Sequence, residues 1–183
     1  MFHYEVRLSG EGGQGLITAG IILAEAAIRD GYNVVQSQSY GPESRGGASR
    51  AEVIIADGPI GYPKVRRADL LLAMAQQAWE KYGPQVKPDG RIIVDSDLVQ
   101  ATAPGCALFA FPVTRVARET VGREIVANIV ALGLVTGVGQ VVSEEAIRKA
   151  VLRRVPKGTE ELNMQALEAG LALAKRSLKG EAV

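Results

Sequence analysis

Apolar and polar positions alternate through HYEVRLS, residues 3–9, which predicts a half-buried strand. The glycine-dense run SGEGGQG follows at once. Next comes GLITAGIILAEAAIRDG, whose apolar spacing near 3.6 predicts a helix that stops at Gly31. NVVQSQSY predicts a second strand, GPESRGG a glycine-rich loop, and ASRAEVIIAD a third, alternating strand. ADLLLAM is short and apolar throughout, as a strand of a parallel sheet covered on both faces should be. QQAWEKYG then predicts a helical turn or two, and KPDG a turn ahead of the strand RIIVDS. ALFAFPV reads as another strand and TRVARET as the start of a helix.

From Arg123 onward the pattern is helical. IVANIVALGLVTGVGQVV predicts a long apolar helix in which Gly133 and Gly137, one turn apart, admit another backbone at close range. SEEAIRKAVLRRV has Ser143 as its N-cap and acids in its first turn. After a break at residues 156–159, EELNMQALEAGLALAKRSL is amphipathic. Strands alternating with helices predict one α/β domain over residues 1–183. Its architecture should be three-layered α/β/α and Rossmann-like, with a mostly parallel or mixed sheet.

Composition narrows the chemistry. The chain has 183 residues, 47% of them hydrophobic, enough to bury a substantial core. Its 21 Lys and Arg against 20 Asp and Glu leave a formal charge of +1, without the strongly basic character of a nucleic-acid binder. Cys106 is the only cysteine and His3 the only histidine. That excludes an internal disulfide, an iron–sulfur cluster held by this chain alone, and a Cys- or His-based metal centre. The thiol usage fits the cytoplasm, and the N-terminus lacks the pattern of a secretory leader. Ile125 to Val142 carries no charge over roughly the length that crosses a bilayer. Asn128, Thr136, Gln140 and three glycines favour a buried helix there, with no membrane association.

Two loops attract a functional reading. Gly10, Gly12 and Gly15 satisfy G-x-G-x-x-G between a strand and a helix, where backbone N–H groups and the helix end can meet a phosphate. Gly13 and Gln14 complete the turn. A nicotinamide or flavin dinucleotide would also want an acid at the end of the second strand, and VVQSQSY has none. The same glycines would equally serve a tight turn pressed against a neighbouring chain. The second loop carries Tyr40, Gly41, Glu43, Arg45, Gly46 and Gly47, and should lie beside the first at the carboxyl end of a strand. Arg45 can grip a phosphate or carboxylate with two parallel N–H groups, and Glu43 can orient it; an internal Glu–Arg pair stiffening the loop reads as well. No nucleophile–base arrangement or paired carboxylates stand out.

Basic residues in RKAVLRRVPK and around Lys64, Arg66 and Arg67 read first as solvated faces, with docking to phosphates or an acidic partner as the alternative. Trp79 reads as a packing residue or interface anchor, and Cys106 as a buried hydrophobe.

Taken together, GEGGQGLITAGIILAEAA, SQSYGPESRGGASRAEVIIAD, ADLLLAM and the closing LNMQALEAG resemble the gamma subunit of 2-oxoacid:ferredoxin oxidoreductases, the pyruvate/ketoisovalerate oxidoreductase gamma-domain family. The resemblance spans nearly the whole chain and is closest to the 2-oxoglutarate type; indolepyruvate oxidoreductase beta-type subunits come second. It implies a subunit of a multi-chain enzyme that decarboxylates a 2-oxoacid on thiamine diphosphate and reduces ferredoxin. Thiamine diphosphate, magnesium and the 4Fe–4S clusters would belong to alpha and beta partners, with a delta chain left open. Coenzyme A is the implied co-substrate, and the two loops would meet either it or the partner chains. The alternative is an autonomous nucleotide-binding protein using the Gly10–Gly15 turn.

Overall fold

The computed structural model describes residues 1–39, 48–103 and 105–182. Six strands form one sheet: β1 (His3–Glu11), β2 (Asn33–Ser39), β3 (Ala48–Ala56), β4 (Ala68–Ala73), β5 (Val86–Asp95) and β6 (Ala107–Phe111), in the order β2-β3-β1-β4-β5-β6. The helices are α1 (Leu16–Arg29), α2 (Gln76–Tyr82), α3 (Val113–Val116), α4 (Ala127–Gly139), α5 (Glu144–Arg154) and α6 (Glu160–Leu178).

The sheet is mixed because of one strand. β3 runs antiparallel to both β1 and β2, whereas β1, β4, β5 and β6 pair in parallel. Residues 40–47 are too few to carry the chain back across the sheet, so β3 must return beside β2 in the opposite sense. It thereby fills the slot next to β1 that β2 occupies in the dinucleotide-binding order.

Side-chain alternation along the strands builds two cores. Leu70 and Leu72 of β4 face α1, α4, α5 and α6, while Leu71 and Ala73 face α2 and the segment around Val99. The four-helix side is held close by small residues. A Cβ on Gly133 would strike the backbone of α6 at Leu167 and Gly170, one on Gly170 the backbone of α4 at Val130, and one on Gly137 the side chain of Ala174. The close approach expected of Gly133 and Gly137 is therefore present. The capped start of α5 is also found: the Ser143 hydroxyl accepts from the Ala146 N–H at 3.1 Å. Ser143 in turn donates its own N–H and O–H to the Asp30 carboxylate at 2.6 and 2.8 Å, joining the end of α1 to the start of α5.

Two local expectations are corrected. KPDG is no free turn but an irregularity within β5: Ala68 pairs with Val86 and Leu70 with Arg91, so residues 87–90 bulge opposite Asp69. The Lys87 ammonium meets the Asp69 carboxylate at 2.8 Å and stabilises the bulge. Cys106 is half-buried rather than buried, because it lies at the start of the edge strand β6 with its sulfur 3.4 Å from the Lys87 carbonyl. Among the described residues, no helix is long and apolar enough to cross a membrane. The apolar stretch beginning at Ile125 instead becomes α4, buried between the sheet and α6.

Candidate functional cleft

β1 ends at Glu11, and the chain turns through Gly12–Gly15 into α1 at the carboxyl edge of the parallel strands. Gly13 and Gly15 have φ of 91° and 73°, left-handed values that a Cβ would oppose. Gly15 has a second constraint. Its Cβ would lie 2.6 Å from the Asn128 amide nitrogen, and that amide donates to the Gly15 carbonyl at 3.1 Å. Asn128 was visible in sequence only as a polar interruption of an apolar run; it fastens α4 to the turn.

Gln14 folds back across Gly10. Its side-chain oxygen accepts from the Glu11 N–H at 2.7 Å and its amide donates to the Met74 carbonyl at 3.0 Å. A Cβ on Gly10 would collide with that oxygen and, at 2.7 Å, with Leu16. Gly10, Gln14 and Gly15 thus shape the turn, while Gly12 and Gly13 have open space on their Cβ side. No side chain caps α1 and no acid lies in its first turn.

The turn forms one wall of a cavity of about 340 Å³, completed by Met74, Leu98, Thr114 and the stretch Glu124, Ile125 and Ala127. Thr114 is anchored by Asp95, which is fully buried: the carboxylate accepts from the Thr114 N–H at 2.9 Å and its hydroxyl at 2.6 Å, while the Asp97 N–H donates to the other oxygen at 3.0 Å. Leu98 and Ile125 are exposed at the rim. The lining combines apolar surface with the Gln14 amide, the Thr114 hydroxyl and the Glu124 carboxylate, a small set of polar groups that can orient a bound molecule.

Of the loop residues, Tyr40, Gly41, Glu43, Arg45, Gly46 and Gly47 lie outside the described residues. Their flanks are informative. Ala48 pairs with Glu11 and Ser39 with Arg50, so β2 ends and β3 begins at the same sheet edge as the glycine turn. The β2 tip itself is two strands from β1, roughly 10 Å away. An acid there would be poorly placed for a ribose bound at the turn.

Several charged groups on the helical side are tied locally. Arg148 pairs with Glu144 and Glu168, Lys149 with Glu145, and Arg154 with Glu25. The hydrogen bond from Lys175 lowers the Glu144 pKa most, with Arg148 adding to it, and the Glu168 hydrogen bond chiefly raises that of Arg148. Trp79 is half-buried with its ring against Gly83, a packing role. Asn163 donates to the carbonyl and hydroxyl of Thr159 and closes the first turn of α6. Sequence reading missed a buried pair. Arg7, 2% exposed, meets Glu52, 3% exposed, at 2.9 Å on the α2 side of the sheet.

The sequence profile of the family described as pyruvate ferredoxin/flavodoxin oxidoreductase matches residues 5–173. The chain belongs to this family. Within it, the chain is 49% identical over 175 residues to the 2-oxoglutarate synthase subunit KorC of Methanocaldococcus jannaschii, covering 93% of this chain and 94% of that one. Its fold matches the keto/oxoacid ferredoxin oxidoreductase gamma subunit of Geobacter sulfurreducens with a TM-score of 0.85 at 53% identity, over 94% and 98% of the two chains. The 2-oxoglutarate:ferredoxin oxidoreductase of Magnetococcus marinus, solved with 2-oxoglutarate, coenzyme A and succinyl-CoA bound, shares the fold at a TM-score of 0.86 and 23% identity. There the match covers 96% of this chain and 31% of the larger one, so the same fold also occurs as part of a longer polypeptide.

Proposed function

We propose that the chain is the gamma subunit of a 2-oxoglutarate:ferredoxin oxidoreductase. The observation that carries this is the end-to-end match to a 2-oxoglutarate synthase subunit at 49% identity. In this reading the complex decarboxylates 2-oxoglutarate, transfers the succinyl group to coenzyme A and passes the electrons to ferredoxin. The donor set of this chain does not fit a 4Fe–4S cluster, which needs four thiolates where the chain has Cys106 alone. In this reading the clusters, thiamine diphosphate and magnesium belong to the alpha and beta partners of a cytoplasmic complex. The gamma chain contributes binding surface: the cleft beside Gly12 and Gly13, with the loop of Tyr40, Gly41, Glu43, Arg45, Gly46 and Gly47, faces coenzyme A or a partner chain.

The test is turnover of 2-oxoglutarate with coenzyme A and ferredoxin, measured on the lone chain and on the complex co-expressed with alpha and beta chains. Turnover is expected from the complex alone; activity of the isolated chain would sink the reading. Arg45→Ala in the complex should lower turnover about tenfold, the effect of losing one charge-assisted contact. Unchanged kinetics would take Arg45 out of the site.

A further inference from the structure

Positive charge collects on the α2 side of the sheet. Arg7 and Arg50 share one carboxylate, Glu52, at 2.9 and 3.4 Å. The second Glu52 oxygen is already engaged by the Val65 N–H at 3.2 Å and the Ser37 hydroxyl at 3.5 Å. Arg7 directs its other donors to the Gln85 side chain at 2.7 Å and the Val65 carbonyl at 2.6 Å. Beneath them lies the Tyr82 ring, 2% exposed, with Arg7, Arg50 and Lys81 at 5.0, 5.5 and 5.4 Å from its centroid.

Among the described residues, the three cations over Tyr82 thus face the one carboxylate of Glu52, a surplus of two in a chain whose formal charge is +1. The helical side differs, because Arg148, Lys149 and Lys175 each have a carboxylate within 3 Å. The face of an aromatic ring attracts cations but does not cancel their mutual repulsion. Arg50 is only partly covered, with 28% of its side chain exposed, and Lys81 is exposed. Both can reach an incoming group.

We propose that this cluster docks an acidic side chain of another polypeptide in the assembled enzyme, with Arg50 and Lys81 as the contacting cations. The inference rests on reading the chain as a subunit. A carboxylate fixed on a partner arrives at high effective concentration, and a partly exposed guanidinium offers it the planar fork that carboxylates match.

Association of the chain with its alpha and beta partners, measured at low and high salt, tests this. Arg50→Gln and the surface variant Lys81→Glu should each raise the dissociation constant about tenfold and flatten its salt dependence. Wild-type association with both variants unchanged would overturn the proposal and leave the subunit reading standing. Failure of the wild type to associate would overturn that reading and the proposal with it. A lower melting temperature for Arg50→Gln with Lys81→Glu associating normally would mean the charge is balanced within the chain, and would also overturn it. So would calorimetric binding of inorganic phosphate that Arg50→Gln abolishes while assembly persists, which would mark a small-anion site.

Discussion

At the scale of single residues, Glu52 carries more than its own pair. It faces two guanidiniums, so removing its charge leaves two cations without a counter-ion, one of them Arg7 inside the protein. Glu52→Gln keeps the shape and should destabilise the chain by about 3–5 kcal/mol, the range for breaking a buried pair. Arg7→Met should cost less, because Glu52 retains Arg50 at 3.4 Å and an unbranched side chain fills the vacated space. Chemical denaturation of the two variants gives the comparison. Equal losses, or a loss below about 1 kcal/mol for Glu52→Gln, would mean that water already screens the pair. The reason this pair escaped sequence reading is physical. Arg7 and Glu52 fall on the polar phase of alternating strands, which ordinarily faces water. Here that phase is covered by α2 and by the segment carrying Val65, and nothing local in either strand announces the cover.

At the scale of elements, α4 packs on α6 at very close range, with Gly133 and Gly170 meeting backbone to backbone. A methyl group on Gly170 has no flexible side chain to displace. It meets the Val130 carbonyl and, at 3.0 Å, the Gly133 Cα and the Leu134 nitrogen. Gly170→Ala should therefore destabilise by about 2–3 kcal/mol through overpacking, although alanine is the better helix former. Gly158→Ala has open space but a φ of 86°, so its smaller effect would come from backbone conformation alone. Thermal melts of both separate the two causes, and a Gly170→Ala protein as stable as wild type would show that α4 and α6 can slide apart. This contact was legible in sequence at Gly133 and Gly137, since glycines one turn apart in a buried helix have few other uses. The reversal of β3 was not. Its residues alternate like any strand, and direction emerges only from the short connection and the pairing of Glu11 with Ala48. The glycine turn was legible as a position, yet the division between Gly10, Gln14 and Gly15 as shaping residues and Gly12 and Gly13 as the open face depends on Asn128, more than a hundred residues away along the chain.

At the scale of the whole molecule, Tyr4 and Glu144 link folding to pH from opposite ends. Tyr4 has its pKa raised from 10.0 to about 12, chiefly by burial, with Asp69 adding to the rise and Arg91 opposing it. The folded chain keeps this phenol neutral where an unfolded chain would ionise it. The resulting stabilisation is whole below pH 10 and declines as pH climbs from 10 towards 12. Glu144 works in the other sense: its lowered pKa contributes stability above the ordinary carboxylate value, lost as pH falls through the folded one. Glu144 sits at the surface with Lys175 and Arg148, where water screens much of the effect. The alkaline arm is therefore the one to measure. Lysine side chains also lose their charge in that range, so the informative quantity is the difference between wild type and Tyr4→Phe, which share every lysine. Allowing for partial exposure, the phenylalanine variant should gain about 1–2 kcal/mol on wild type between neutral and strongly alkaline pH, with the acid arms of the two curves superimposed. Ultraviolet titration of tyrosinate should show one phenol ionising late in wild type and absent in the variant. Parallel stability curves through the alkaline range would mean that Tyr4 ionises in place, with water reaching it beside Phe2.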